Sequence, residues 1–100
     1  MTGYTYLWEF HVVPAQQERF EFQYGPEGGW AALFHQARGY RESRLLRDHS
    51  NSLRYVTVDR WETEADYRAF QAQFSRQYDE LDRECHGLTT HEALLGECSE

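Results

Sequence analysis

Histidine is the side chain that most readily trades a proton near neutral pH, and this chain has five of them: His11, His35, His49, His86 and His91. His35 is the candidate base. It follows Phe34 beside an apolar stripe of Trp30, Leu33, Phe34 and Ala37, so it either borders the cleft behind that stripe or faces solvent. His11 is expected on the face of the first strand turned to an interface, and His49 in a loop; the face of His91 is open. Trp8, Trp30, Tyr55, Trp61, Tyr67 and Tyr78 are the candidate walls of a flat aromatic pocket, each of them alternatively plain core, with Tyr67 and Tyr78 offering hydroxyls. Asp59 and Arg60 must point to opposite faces of one strand, and whichever is covered needs a partner such as Arg44 or Glu9. Other constellations are missing. There is no Gly-x-Ser-x-Gly elbow and no pair of histidines at the i, i+4 spacing of a helical zinc site, so no metal is expected. Gly25-Pro26-Glu27-Gly28-Gly29 lacks the Lys-Ser/Thr of a phosphate loop and puts an acid where an anion would sit, so it reads as a helix break.

The elements that carry these residues follow from periodicity. Tyr4–Val13 alternates Tyr4, Tyr6, Trp8, Phe10 and Val12 against Thr5, Leu7, Glu9, His11 and Val13, which predicts a strand covered on both sides. Pro14 opens a helix carrying Phe20 and Tyr24, Gly25–Gly29 interrupts it, and a second helical piece runs from Trp30 until Gly39 ends it. Tyr40–Asp48 and Leu53–Trp61 form a hairpin across His49–Ser52. Thr63 with Asp66 starts a long helix whose buried side is Tyr67, Phe70, Phe74, Tyr78, Leu81 and Cys85, with Gly87 ending it. Leu88–Cys98 is the last strand, pairing either within its own chain or with a partner. The order β-α-β-β-α-β predicts an α+β, ferredoxin-like, four-stranded antiparallel sheet with both helical segments on one face. The bare second face carries apolar residues, which points to a symmetric homodimer closed into a barrel.

One hundred residues make a single domain, 1–100. Seventeen acids against ten bases, every base an arginine, leave a charge of −7, which argues against nucleic acid and anionic membranes as partners. The opening Met1-Thr2-Gly3-Tyr4 lacks the pattern of a signal peptide, and Cys85 and Cys98 are not spaced as a redox or metal pair; a reducing cytoplasmic setting is expected.

The segment from Tyr55 to Phe70, in which a strand ending in Trp61 runs into a helix opening Thr63-Glu64-Ala65-Asp66-Tyr67, resembles the antibiotic biosynthesis monooxygenase family. Tyr6–Val12 and the Gly39-Tyr40 step fit as well, with Arg38 where the family usually has proline. The resemblance implies a homodimeric α/β barrel that oxidises a small phenolic, anthrone-like or quinol-like aromatic with O₂, without metal or flavin. For that reaction His35 is the candidate base that takes the substrate proton, with an apolar pocket holding the anion beside O₂. A haem-degrading branch uses an Asn on strand one with a Trp and a His on the second long helix. Trp8 and the Trp- and His-free stretch Glu64–Glu84 disfavour that branch, though His86 lies just beyond it. The alternative is a non-catalytic dimeric module that holds a hydrophobic small molecule.

Overall fold

A computed structural model describes residues 3–100; Met1 and Thr2, half of the opening stretch read above, lie outside the described residues. Four antiparallel strands, β1 (Tyr4–Val12), β2 (Tyr40–Arg47), β3 (Arg54–Trp61) and β4 (Thr89–Ser99), form one sheet in the order β2-β3-β1-β4. Strand β1 is central because its alternation fills both faces. Tyr4, Tyr6, Phe10 and Val12 are buried and Trp8 half-buried on the helical side, while Thr5, Leu7, Glu9 and His11 are half-buried on the other. Strand β4 pairs with β1 of its own chain, with Leu95 as an extra residue between the Leu7–Gly96 and Trp8–Leu94 pairs.

After β1 a 3-10 turn at Pro14–Gln16 leads into α1 (Gln17–Tyr24), and α2 (Gly29–Phe34) follows the predicted glycine break. The turn between them is tight enough that a Cβ at Gly28 would lie 2.0 Å from the Phe22 carbonyl oxygen. At Gly39 the backbone takes a φ of 88°, and a Cβ there would meet the Asp66 carboxyl at 2.3 Å, so only glycine fits the step into β2. The N-cap of α3 (Glu64–Gln73) is the expected one: Thr63 Oγ1 accepts from the Asp66 amide at 3.0 Å.

The expected long second helix is two helices. Phe74 leaves helical geometry (φ −111°, ψ 21°) between α3 and α4 (Ser75–Cys85). The amides of Phe74 and Tyr78 still bond to the carbonyls four residues back, at 2.8 and 2.9 Å, so this is a bend rather than a gap. A straight run over these residues would be about 33 Å long. Bending at a buried aromatic keeps Tyr67 and Phe70 on one part of the twisted sheet and Tyr78 and Cys85 on another.

The core is an aromatic layer between helices and sheet. Trp61 and Tyr55 are each 1% exposed; Trp61 packs on Phe34 and Phe70, and Tyr55 on Phe20. Among the described residues no element covers the opposite face of the sheet, and Leu7, Val56 and Val58 lie there half-buried with Leu46 half exposed beside them. Around them stand the ion pairs Arg54–Glu9, Arg60–Glu42 and Arg60–Glu100. Both cysteines are free thiols. Among the described residues no helix is long and apolar enough to cross a membrane.

Candidate functional site

Between the helices and the sheet lies a narrow cleft that opens to solvent. Its sheet wall is Tyr6, Trp8 and Phe10 from β1, Thr57 and Asp59 from β3 and Ser43 from β2. Trp30, Ala31 and Phe34 of α2, Tyr67 of α3 and Tyr78 of α4 form the helical wall, and Tyr24, Asp82 and Glu92 complete it.

Asp59 decides what this cleft can do. Strand alternation puts it on the same face as Tyr55, Thr57 and Trp61, level with Tyr6 of β1 and Ser43 of β2, so a carboxyl sits in an apolar layer. It is 7% exposed. The cation expected for it, Arg44, pairs with Glu42 instead; Glu9, the acid expected for Arg60, pairs with Arg54 and His91 while Arg60 pairs with Glu42 and Glu100. Asp59 instead accepts a hydrogen bond from Ser43 Oγ, which in turn is bonded to the Tyr40 hydroxyl at 2.6 Å, so the chain of donors runs from Tyr40 through Ser43 to the carboxylate. Burial pushes the Asp59 pKa up to about 6, opposed only in part by the Ser43 hydrogen bond. A carboxylate at that value is ionised at neutral pH yet basic enough to take a proton.

The hydroxyls around it behave in the opposite sense. Burial raises the pKa of Tyr6, Tyr67 and Tyr78, so they stay protonated and act as donors. Trp30 Nε1 is the buried side-chain donor left without an acceptor among the described residues. At the mouth, Glu92 is pushed up by burial and then by the nearby Asp82 charge. No basic side chain lines the cleft among the described residues.

Trp8, Trp30, Tyr67 and Tyr78 of the residues singled out by sequence meet in this cleft. The other three do not line it. Tyr55 lies behind it, its hydroxyl accepting from Gln17 Nε2 at 2.9 Å and donating to Glu21. Trp61 is sealed beneath it, its Nε1 3.4 Å from the Tyr6 hydroxyl. His35 caps the C-terminal end of α2, exposed, with its ring edge-on to Tyr40 at 4.8 Å; the last turn of α2 carries it past the apolar stripe and out of the cleft. Asp59, the strand acid in phase with Tyr55, Thr57 and Trp61, is the member of the Asp59–Arg60 pair that faces the cleft, whereas Ser43, Asp82 and Glu92 carry no signal in the sequence that marks them as site residues.

Solved structures share this fold at low identity. The cofactor-independent oxygenase SnoaB from Streptomyces nogalater is 22% identical with a TM-score of 0.69, over 100% of this chain and 97% of that one. PA3566 from Pseudomonas aeruginosa is 16% identical with a TM-score of 0.71, over 100% and 95% of the two chains. A Methanosarcina mazei Go1 protein is 10% identical with a TM-score of 0.74, over 100% and 94%. No curated protein sequence matches. The sequence profile described as antibiotic biosynthesis monooxygenase matches residues 4–73, most of the chain and the segments that build the cleft's sheet wall. The chain therefore belongs to the antibiotic biosynthesis monooxygenase family.

Proposed function

We propose that this protein is a cofactor-independent monooxygenase that oxidises a neutral phenolic, anthrone-like or quinol-like aromatic with O₂, with Asp59 as the group that takes the substrate proton. The observation that carries this reading is the buried carboxylate of Asp59, with no cationic partner among the described residues, in the wall of an aromatic cleft. His35, exposed and outside the cleft, gives up that role to Asp59. Trp8, Trp30, Tyr67 and Tyr78 sandwich the aromatic rings, and Trp61 and Tyr55 support that wall from behind. Three acids and no base in the lining disfavour carboxylates and phosphates as substrates.

For an anthrone-like substrate the chemistry closes without an added reductant. Asp59 takes a proton, and the resulting anion is stabilised by hydroxyl and indole donors such as Tyr67, Tyr78 and the unpartnered Trp30 Nε1. The anion passes one electron to O₂, and the radical pair recombines to form a carbon–oxygen bond. Asp59 returns its proton to the outer peroxide oxygen, the oxygen–oxygen bond breaks, and loss of the second hydrogen from that carbon gives a ketone and water. The four electrons that reduce O₂ all come from the substrate methylene. The apolar walls keep water from the anion and the peroxide.

The open sheet face supports a homodimer, with Leu7, Val56 and Val58 at the centre of the contact. Free thiols at Cys85 and Cys98 suit a reducing interior. The test is O₂ consumption by metal-stripped protein against anthrones and hydroquinones, with Asp59→Asn and His35→Ala alongside. Uptake that falls at least about 100-fold in Asp59→Asn and persists in His35→Ala is the expected result. Substrate binding without uptake would assign the cleft to a non-catalytic carrier instead.

A further inference from the structure

The uncovered face of the sheet holds a cluster that the cleft does not use. Glu9 and His11 stand two residues apart on β1 and so share that face, while His91 of β4 lies directly across the ladder from His11. Register irregularities fall on both sides of this stretch, between Leu7 and Trp8 and between His11 and Val12, so the three residues occupy a short regular ladder between two distortions. Such distortions re-aim side chains. The two imidazole rings lie 4.7 Å apart at 37°, and His91 Nε2 is 3.0 Å from Glu9 Oε1. One donor atom from each of the three residues lies within 4.8 Å of the other two. Donors around one tetrahedral ion stand about 3.4 Å apart, given bonds of about 2.0–2.1 Å, so small side-chain rotations close the set.

We propose that Glu9, His11 and His91 form a binding site for one divalent transition-metal ion of the zinc class. Two imidazoles and one carboxylate suit zinc, cobalt, nickel or copper, whereas magnesium and calcium prefer all-oxygen sites. Glu9 is already prepared as a ligand. Its Oε2 accepts from Arg54 Nε at 2.7 Å, and Arg54 is in turn held by Asp48 at 3.0 Å, which leaves Oε1 turned to the histidines. In the single chain Glu9 and His11 are half-buried and His91 is exposed; the three share the sheet face of the proposed dimer contact, with Glu9 across from Val56 and His91 on the edge strand β4. Three protein ligands leave one position for water. The site is on the other side of the sheet from Trp8 and Phe10, so it is independent of the oxygenase reading.

Metal-stripped full-length protein titrated with Co²⁺ is expected to develop the visible bands of a four-coordinate site at one ion per chain, displaced by Zn²⁺. His11→Ala, His91→Ala and Glu9→Gln should each weaken Zn²⁺ binding at least about tenfold, measured calorimetrically, with folding checked by circular dichroism. His49→Ala and His86→Ala, outside the three-residue donor set, should leave it unchanged. No uptake, half an ion per chain, uptake of octahedral character only, or binding unaffected by His11→Ala and His91→Ala would each overturn the site.

Discussion

Replacing Asp59 by asparagine is expected to stabilise the protein while disabling it. In an unfolded chain an aspartate titrates near 3.8, whereas in the fold burial lifts Asp59 to about 6. The folded state thus holds this proton more tightly than the unfolded one, and ionising Asp59 works against folding. At about 1.4 kcal/mol per pKa unit, the penalty at pH 7 is about 3 kcal/mol, and by pH 5 roughly half of it is gone. Its direction is the reverse of that for Glu9, Glu42 and Asp48, whose pKa values are lowered by hydrogen bonds from arginines and backbone amides. Their contribution is present above their unfolded pKa and fades as acid protonates them. The difference between the parent protein and Asp59→Asn isolates the one buried group. Asparagine is nearly isosteric and can still accept from Ser43 Oγ, so the variant should gain up to about 3 kcal/mol at pH 7, and the gain should shrink towards zero near pH 4. Urea unfolding of both proteins from pH 4 to pH 8 measures it. A variant less stable than the parent at pH 7, or a difference that does not change with pH, would refute the assignment of Asp59 as an uncompensated buried carboxylate.

Other outcomes follow from single observations. Gly39→Ala should lose about 2 kcal/mol in the same assay, since it forces a side chain to a φ of 88° and into the Asp66 carboxyl. Tyr55→Phe should leave kcat/KM within about twofold and lower stability by about 1 kcal/mol, because its hydroxyl bonds to Gln17 and Glu21 behind the cleft. Val58→Glu, between Leu7 and Arg44 on the open face, should convert a dimer to a monomer in sedimentation at micromolar concentration with the helical spectrum unchanged; a variant that remains dimeric places the contact elsewhere.

Element order, sheet topology and the open face were legible in the chain because period-two and period-3.6 patterns are local. Tyr4–Val12 alternates without interruption, and Thr63 with Asp66 marks a helix start in four residues. The bend at Phe74 was not legible, since Tyr67, Phe70, Phe74 and Tyr78 keep helical spacing straight through it and only packing on a twisted sheet separates the two halves. Site residues divide along the same line. Trp8 and Trp30 sit on apolar stripes that must face the core, whereas His35 is one position beyond its stripe, and a rotation of 100° decides between cleft and solvent. Asp59 was visible as an acid in an apolar phase, but its lack of a cation among the described residues depends on Arg44 turning to Glu42 on the other face of the sheet. The Glu9, His11 and His91 cluster joins residues some 80 positions apart, a pairing that only the β1–β4 register creates.

The proton-accepting role of Asp59 is tested most directly by kcat/KM for O₂ uptake as a function of pH, using an anthrone substrate. A rise with pH that levels off near 6, present in His35→Ala and absent from the residual activity of Asp59→Asn, is the predicted result. A profile that keeps its break in Asp59→Asn, or loses it in His35→Ala, would contradict the account.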